Sequence, residues 1–126
     1  LIHEYLRLVE GLHPKWVVME NVTGMASAGE GAAIRAIQSS LASLGYRVEM
    51  RVLRAEEYGV PQERRRIIFM GNRLGKPLVW PKPTHGSGLL PFTTVRDAIG
   101  DLPVLRNGEN RGDLAYRHKP LSRYQA

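Results

Sequence analysis

Trp16-Val17-Val18-Met19-Glu20-Asn21-Val22 is the stretch on which the reading of this chain turns. Four apolar residues in succession predict a strand covered on both faces, and a carboxylate stands at its end. Charged groups avoid full burial unless they are paired, so packing alone gives Glu20 no reason to be there. In open α/β sheets the chemistry collects just beyond the carboxyl ends of the strands. Two readings of Glu20 stand side by side: an acid that caps a loop or pairs with an arginine, and a catalytic carboxylate.

Upstream of this strand, Ile2, Tyr5, Leu6, Val9 and Leu12 recur at helical spacing, and Gly11, His13 and Pro14 mark a stop. Downstream, Ile34, Ile37, Leu41 and Leu44 form the stripe of a second helix closed by Gly45. Val48, Met50 and Val52 then alternate with Glu49, Arg51 and Leu53, which predicts a strand with one wetter face. Arg66-Ile67-Ile68-Phe69-Met70 predicts another buried strand, ended by Gly71. This order of helix, strand, helix, strand, strand is that of half a doubly wound α/β sheet. The last two strands are joined by about ten residues without a helical stripe, too short for a parallel crossover, so they are expected to be antiparallel neighbours.

A second constellation, Tyr58-Gly59-Val60-Pro61-Gln62-Glu63-Arg64-Arg65-Arg66, leads into that last strand. On an extended backbone Gln62, Arg64 and Arg66 would project to one side and Glu63 and Arg65 to the other. Two guanidiniums on one side make a forked donor array suited to phosphate or a carbonyl edge. A solvated basic turn is the plainer alternative.

Composition sets the bounds. With 126 residues, 43% hydrophobic and 24% charged, the chain suits one modest globular core. A net charge of +6 permits a polyanionic partner. There is no cysteine, which excludes disulfides, thiolate metal sites and a cysteine nucleophile within this chain. No segment reads as a membrane span or a secretory leader, so a cytoplasmic location without membrane contact is expected. His13, His85 and His118 follow no metal-ligand spacing and read as surface or packing residues; no metal is expected. Residues 1–72 carry nine Lys/Arg and eight Asp/Glu, whereas residues 73–126 carry nine and four and six of the eight prolines. The division expected is therefore a packed α/β part, 1–72, and an extended basic part, 73–126, in which Trp80 anchors a linker. The chain opens on Leu1, already in helical rhythm, and is expected to be a piece of something larger.

Taken together, these segments resemble the C5-cytosine-specific DNA methyltransferase family. Leu1-Ile2-His3-Glu4 is similar to the segment that opens the helix before that family's Glu-Asn-Val motif, and Val18-Met19-Glu20-Asn21-Val22 is similar to the motif itself. Residues 58–66 resemble its Gln-x-Arg-x-Arg motif. Thr94-Val95-Arg96-Asp97-Ala98-Ile99-Gly100-Asp101-Leu102-Pro103 resembles a segment where bacterial members enter the target-recognition region.

The resemblance implies the second half of a Rossmann-like S-adenosylmethionine-dependent methyltransferase sheet, mixed, with an antiparallel last strand, followed by an extended basic segment. It implies methyl transfer from S-adenosylmethionine to C5 of a cytosine flipped out of double-stranded DNA, as in bacterial restriction–modification. Glu20 would hold N3 and the exocyclic amine, its carboxyl protonated in the working complex. Arg66 would hold the O2 edge of the base and Arg64 the backbone phosphate. Asn21, Val22 and Gln62 would support the site, and Leu1 would line the cofactor pocket beside the adenosine.

Departures from the family pattern carry their own expectations. The Pro-Cys-Gln nucleophile loop, the Gly-rich cofactor turn, a complete target-recognition domain and the closing motifs are all missing. The chain alone is expected to be inactive, as a fragment or as one subunit of a split enzyme whose remainder is its partner. Self-association through exposed edges is also expected. Two other functions remain open: an RNA (tRNA) cytosine-C5 methyltransferase, and a non-catalytic nucleic-acid-binding module.

Overall fold

The computed structural model describes residues 2–27, 31–110, 112 and 119–125. They fall into two compact units, one of residues 1–54 and 64–82 and the other of residues 55–63 and 83–126.

The first unit is built from α1 (Ile2–Leu12), β1 (Trp16–Val22), a short helical turn α2 (Gly24–Ser27), α3 (Ala32–Ser43), β2 (Arg47–Arg54) and β3 (Arg65–Asn72). The helical stripes seen in the sequence face the core: Val9 of α1 and Ile34, Ile37 and Leu41 of α3 are buried in one cluster with Val17, Met19, Tyr46, Ile67 and Phe69. Helix α1 ends where expected, with His13 in the left-handed region at φ 45. Chain reversal after α3 places Gly45 at φ 86, and Tyr46 then donates its hydroxyl to Pro14 O over 2.5 Å.

β3 lies in the middle of the sheet, antiparallel to both β1 and β2. The expected hairpin of β2 with β3 is present. The expected mixed sheet is not: every pairing among the described strands is antiparallel. β1 and β2 do run in the same direction, joined through α3, but β3 folds back and inserts between them. The short connection from β2 allows only this antiparallel return.

The strand reading of Trp16–Met19 needs a second correction. Val17 and Met19 are buried, but Trp16 is 43% and Val18 61% exposed. Helices α1 and α3 contribute to the same cluster, so they cover one face and leave the other face of β1 open. The strand also continues through Glu20, Asn21 and Val22 instead of stopping at the carboxylate. Over β2 the second face is covered by the extended segment after β3. There the buried Trp80 donates its indole N–H to Glu49 over 2.9 Å, and the Arg51 guanidinium lies 4.9 Å from its ring centre. Trp80 is thus the anchor its surroundings in the sequence suggested.

The second unit contains a 3₁₀ turn (Ala55–Tyr58), loops, and one short helix, α4 (Val95–Ile99). The extended, loop-rich reading of the second part did not include this helix. Its cap explains it: Thr94 Oγ1 accepts from the Asp97 amide at 3.1 Å while Asp97 Oδ2 accepts from the Thr94 amide at 2.7 Å. Ser122 Oγ donates to Asp97 O over 2.5 Å, tying residues near the end of the chain to this helix.

The Thr94 hydroxyl, and after it the Thr94 amide, hold the Asp97 carboxyl below the usual carboxylate range. A lowered folded-state pKa stabilises the cap above the ordinary value of about 3.9 and stops doing so as pH falls through the lowered value. The protection of the Asp97 and Ala98 amides, taken relative to their intrinsic exchange at each pH, should therefore be constant above about pH 4 and fall below it. Thr94→Val should abolish that pH dependence. Among the described residues no helix is long and apolar enough to cross a membrane.

Candidate active site

The register of β1 on β3 sets Glu20 opposite Ile68 and Val22 opposite Arg66. Because side chains alternate along a strand, Glu20 and Arg66 project together on the face opposite the core. Arg66 Nε donates to Glu20 Oε1 over 2.5 Å, and its Nη1 donates to Arg65 O over 2.8 Å. The Arg66 side chain is 22% and the Glu20 side chain 54% exposed. An ion pair this wet contributes under about 1 kcal/mol of stability. Its effect is orientation: two acceptors fix the plane of Arg66 beside an acid that solvent can still reach.

Asn21 is half-buried and turns back on its own strand, its Oδ1 accepting from Val22 N over 2.8 Å. Val22 is exposed at the strand end. Arg64 is exposed and stands immediately before β3. Gln62 does not continue the alternation of the arginines. Pro61 and Gln62 form a bend in which the Gln62 amide donates to Val60 O over 2.8 Å. The expected extended backbone therefore does not include Gln62, and β3 begins at Arg65. Leu1 lies outside the described residues.

One feature was missed in the sequence. An open cavity of about 380 Å³ lies along β1 and α1, walled by Ile2, Tyr5, Leu8, Val18 and Met19 with the polar Glu4, Glu20 and Asn21. Tyr5 donates its hydroxyl to Val18 O over 3.2 Å. Burial, and secondarily Tyr46, push the phenol above its ordinary pKa. In the sequence Tyr5 counts only as one member of a helical stripe, and nothing there tells a core position from a cavity wall. Among the described residues no three His, Cys, Asp or Glu side chains gather as a metal site would require.

The sequence model of the C-5 cytosine-specific DNA methylase family matches residues 1–123. The chain belongs to this family. Among its relatives is the Type II methyltransferase M1.HphI of Haemophilus parahaemolyticus, 40% identical over 97% of this chain and 31% of that protein. Another is M.BsuRI of Bacillus subtilis, 45% identical over 78% of this chain and 24% of the relative. M.AquIA of Picosynechococcus is 40% identical over 82% of this chain and half of that protein. A solved E. coli prophage-encoded protein, described as a DNA modification methyltransferase, superposes with a TM-score of 0.64 at 26% identity. That match covers 82% of this chain and 30% of the other. The chain thus spans between about a quarter and a half of the length of these three relatives.

Proposed function

We propose that this chain forms the base-holding side of a DNA cytosine-C5 methyltransferase of the restriction–modification type, acting on a cytosine flipped from duplex DNA. The observation that carries the reading is the Glu20–Arg66 pair, an acid and a forked cation held 2.5 Å apart on one open strand face. Attack of a thiolate on C6 drives electron density toward N3 and O2 of the ring. Glu20, protonated, donates to N3 and accepts from the exocyclic amine; Arg66 donates to O2. Arg64 holds a phosphate of the distorted backbone, so binding should weaken as salt rises. Asn21, Val22 and Gln62 support the loops around them. No cysteine stands in the chain, so the thiolate has to come from elsewhere in the enzyme.

S-adenosylmethionine, when bound, supplies an electrophilic methyl group for C5. Leu1 is assigned to its adenosine side. The neighbouring wall of Ile2, Tyr5 and Leu8 fits an apolar ring.

The test combines this chain with the cysteine-bearing remainder of a relative's catalytic domain and follows tritiated methyl from S-adenosylmethionine. Label at C5 of duplex-DNA cytosine, lost in Arg66→Ala, is the expected result. Label in tRNA alone would move the chain to the RNA-directed reaction. No label in either, with both parts folded and bound to DNA, would assign it to non-catalytic nucleic-acid binding.

A further inference from the structure

The segment that delivers the arginines to β3 is itself held, and the residue holding it is His85. Gly59 has φ 84, and a Cβ there would stand 2.8 Å from His85 Cε1 and 3.3 Å from both ring nitrogens. The imidazole therefore occupies the space that any side chain at position 59 would need. Its Nδ1 lies 2.9 Å from Thr84 Oγ1, which sets the ring plane. Beneath the ring, Glu57 O accepts from both the Thr84 and the His85 amides, at 2.9 and 3.0 Å. The loop carrying His85 is closed in turn by Leu90 N donating to Thr84 O over 3.2 Å and Gly86 N donating to Leu90 O over 2.9 Å.

On the other side of the contact lies the turn of residues 55–63. Val60 N reaches Ala55 O at 3.3 Å and Gly59 N reaches Glu56 O at 3.3 Å, both long, and the Gln62 amide turns back to Val60 O. A bare glycine beneath a ring with a fixed plane is a mechanical stop for such a loop. Substituting Gly59 fails twice, on space and on its positive φ.

We infer that His85 is a positioning residue for the Gln-x-Arg-x-Arg motif. It touches no reacting atom; it fixes residues 59–63, and Arg64 is the next residue along the backbone. The inference rests on the proposed function for its consequence in catalysis but not for the contact itself. A misplacement of this loop would be felt as rate, because geometry near a reacting base is worth far more than its stabilising energy.

The test reads the loop and the reaction separately. In His85→Ala, amide exchange at Val60 and Gln62 should accelerate about tenfold. Their signals and that of Arg64 should shift, while those of Val17 and Met19 and the unfolding midpoint stay in place. Thr84→Val, which removes only the group that sets the ring plane, should give the same shifts at smaller amplitude, and His85→Phe, which restores a ring over Gly59, should reverse most of them. In methyl transfer by the combined domain, His85→Ala should lower kcat about tenfold and leave KM for S-adenosylmethionine unchanged. Unaltered exchange at Val60 and Gln62 overturns the inference, as does a general loss of stability that His85→Phe does not rescue. Altered exchange in a domain that transfers no methyl even as wild type would leave the loop contact standing and refute the proposed function instead.

Discussion

Glu20→Gln in the combined catalytic domain is expected to slow methyl transfer by on the order of 100-fold while DNA affinity stays within about twofold. Glutamine is nearly isosteric, and its amide can still face N3 and the exocyclic amine. It cannot shift a proton toward N3 as negative charge accumulates there, which is the role proposed for Glu20. The loss therefore belongs to the transition state, so kcat should fall more than any binding constant. Single-turnover methylation at saturating DNA measures it. A near wild-type rate would remove Glu20 from the chemistry. An equal loss in DNA binding would make it a binding residue only. Arg66→Lys should behave similarly but more mildly, since an ammonium keeps the charge and loses the planar fork.

In the sequence Glu20 and Arg66 were linked only through the family resemblance; the parity that sets them on one face needs the one-sided burial of both strands. Once Val17 and Met19 face inward, Glu20 must face out, and the same parity carries Arg66 outward from Ile67 and Phe69. The helices were legible, since Ile34, Ile37 and Leu41 recur at one helical face. What the sequence could not supply was the cover over each strand. Trp16 and Val18 look as buried as Val17 and Met19 until the structure shows both helices on one side. Nor did strand periodicity hold for Gln62, because the turn at Val60-Pro61-Gln62 is made by a backbone hydrogen bond that no residue pattern announces. The insertion of β3 between β1 and β2 was half visible: the short connection implied an antiparallel partner, but not that the strand would also pair with β1. Helix α4 could have been found, since Thr94-x-x-Asp97 is itself a capping pair.

Phe69→Ala should lower unfolding stability by about 3–5 kcal/mol, a large share of what a domain of this size has. Phe69 is 1% exposed on the central strand, with Met19 and Met50 as its cross-strand partners, in the cluster that also holds Val9, Ile37, Leu41 and Ile67. Truncation there removes ring contacts to both neighbouring strands and the helix layer, and helices cannot collapse into a gap at the sheet's centre without breaking the register. The comparison that gives the number meaning is Val18→Ala on β1. Sequence alone ranks Val18 with the core, yet it is 61% exposed, and the change should stay within about 0.5 kcal/mol. Urea unfolding of the two variants, at unchanged m-value, separates them. Comparable losses would mean that the open face of β1 is covered in solution, and the one-sided burial described for that strand would then have to be abandoned.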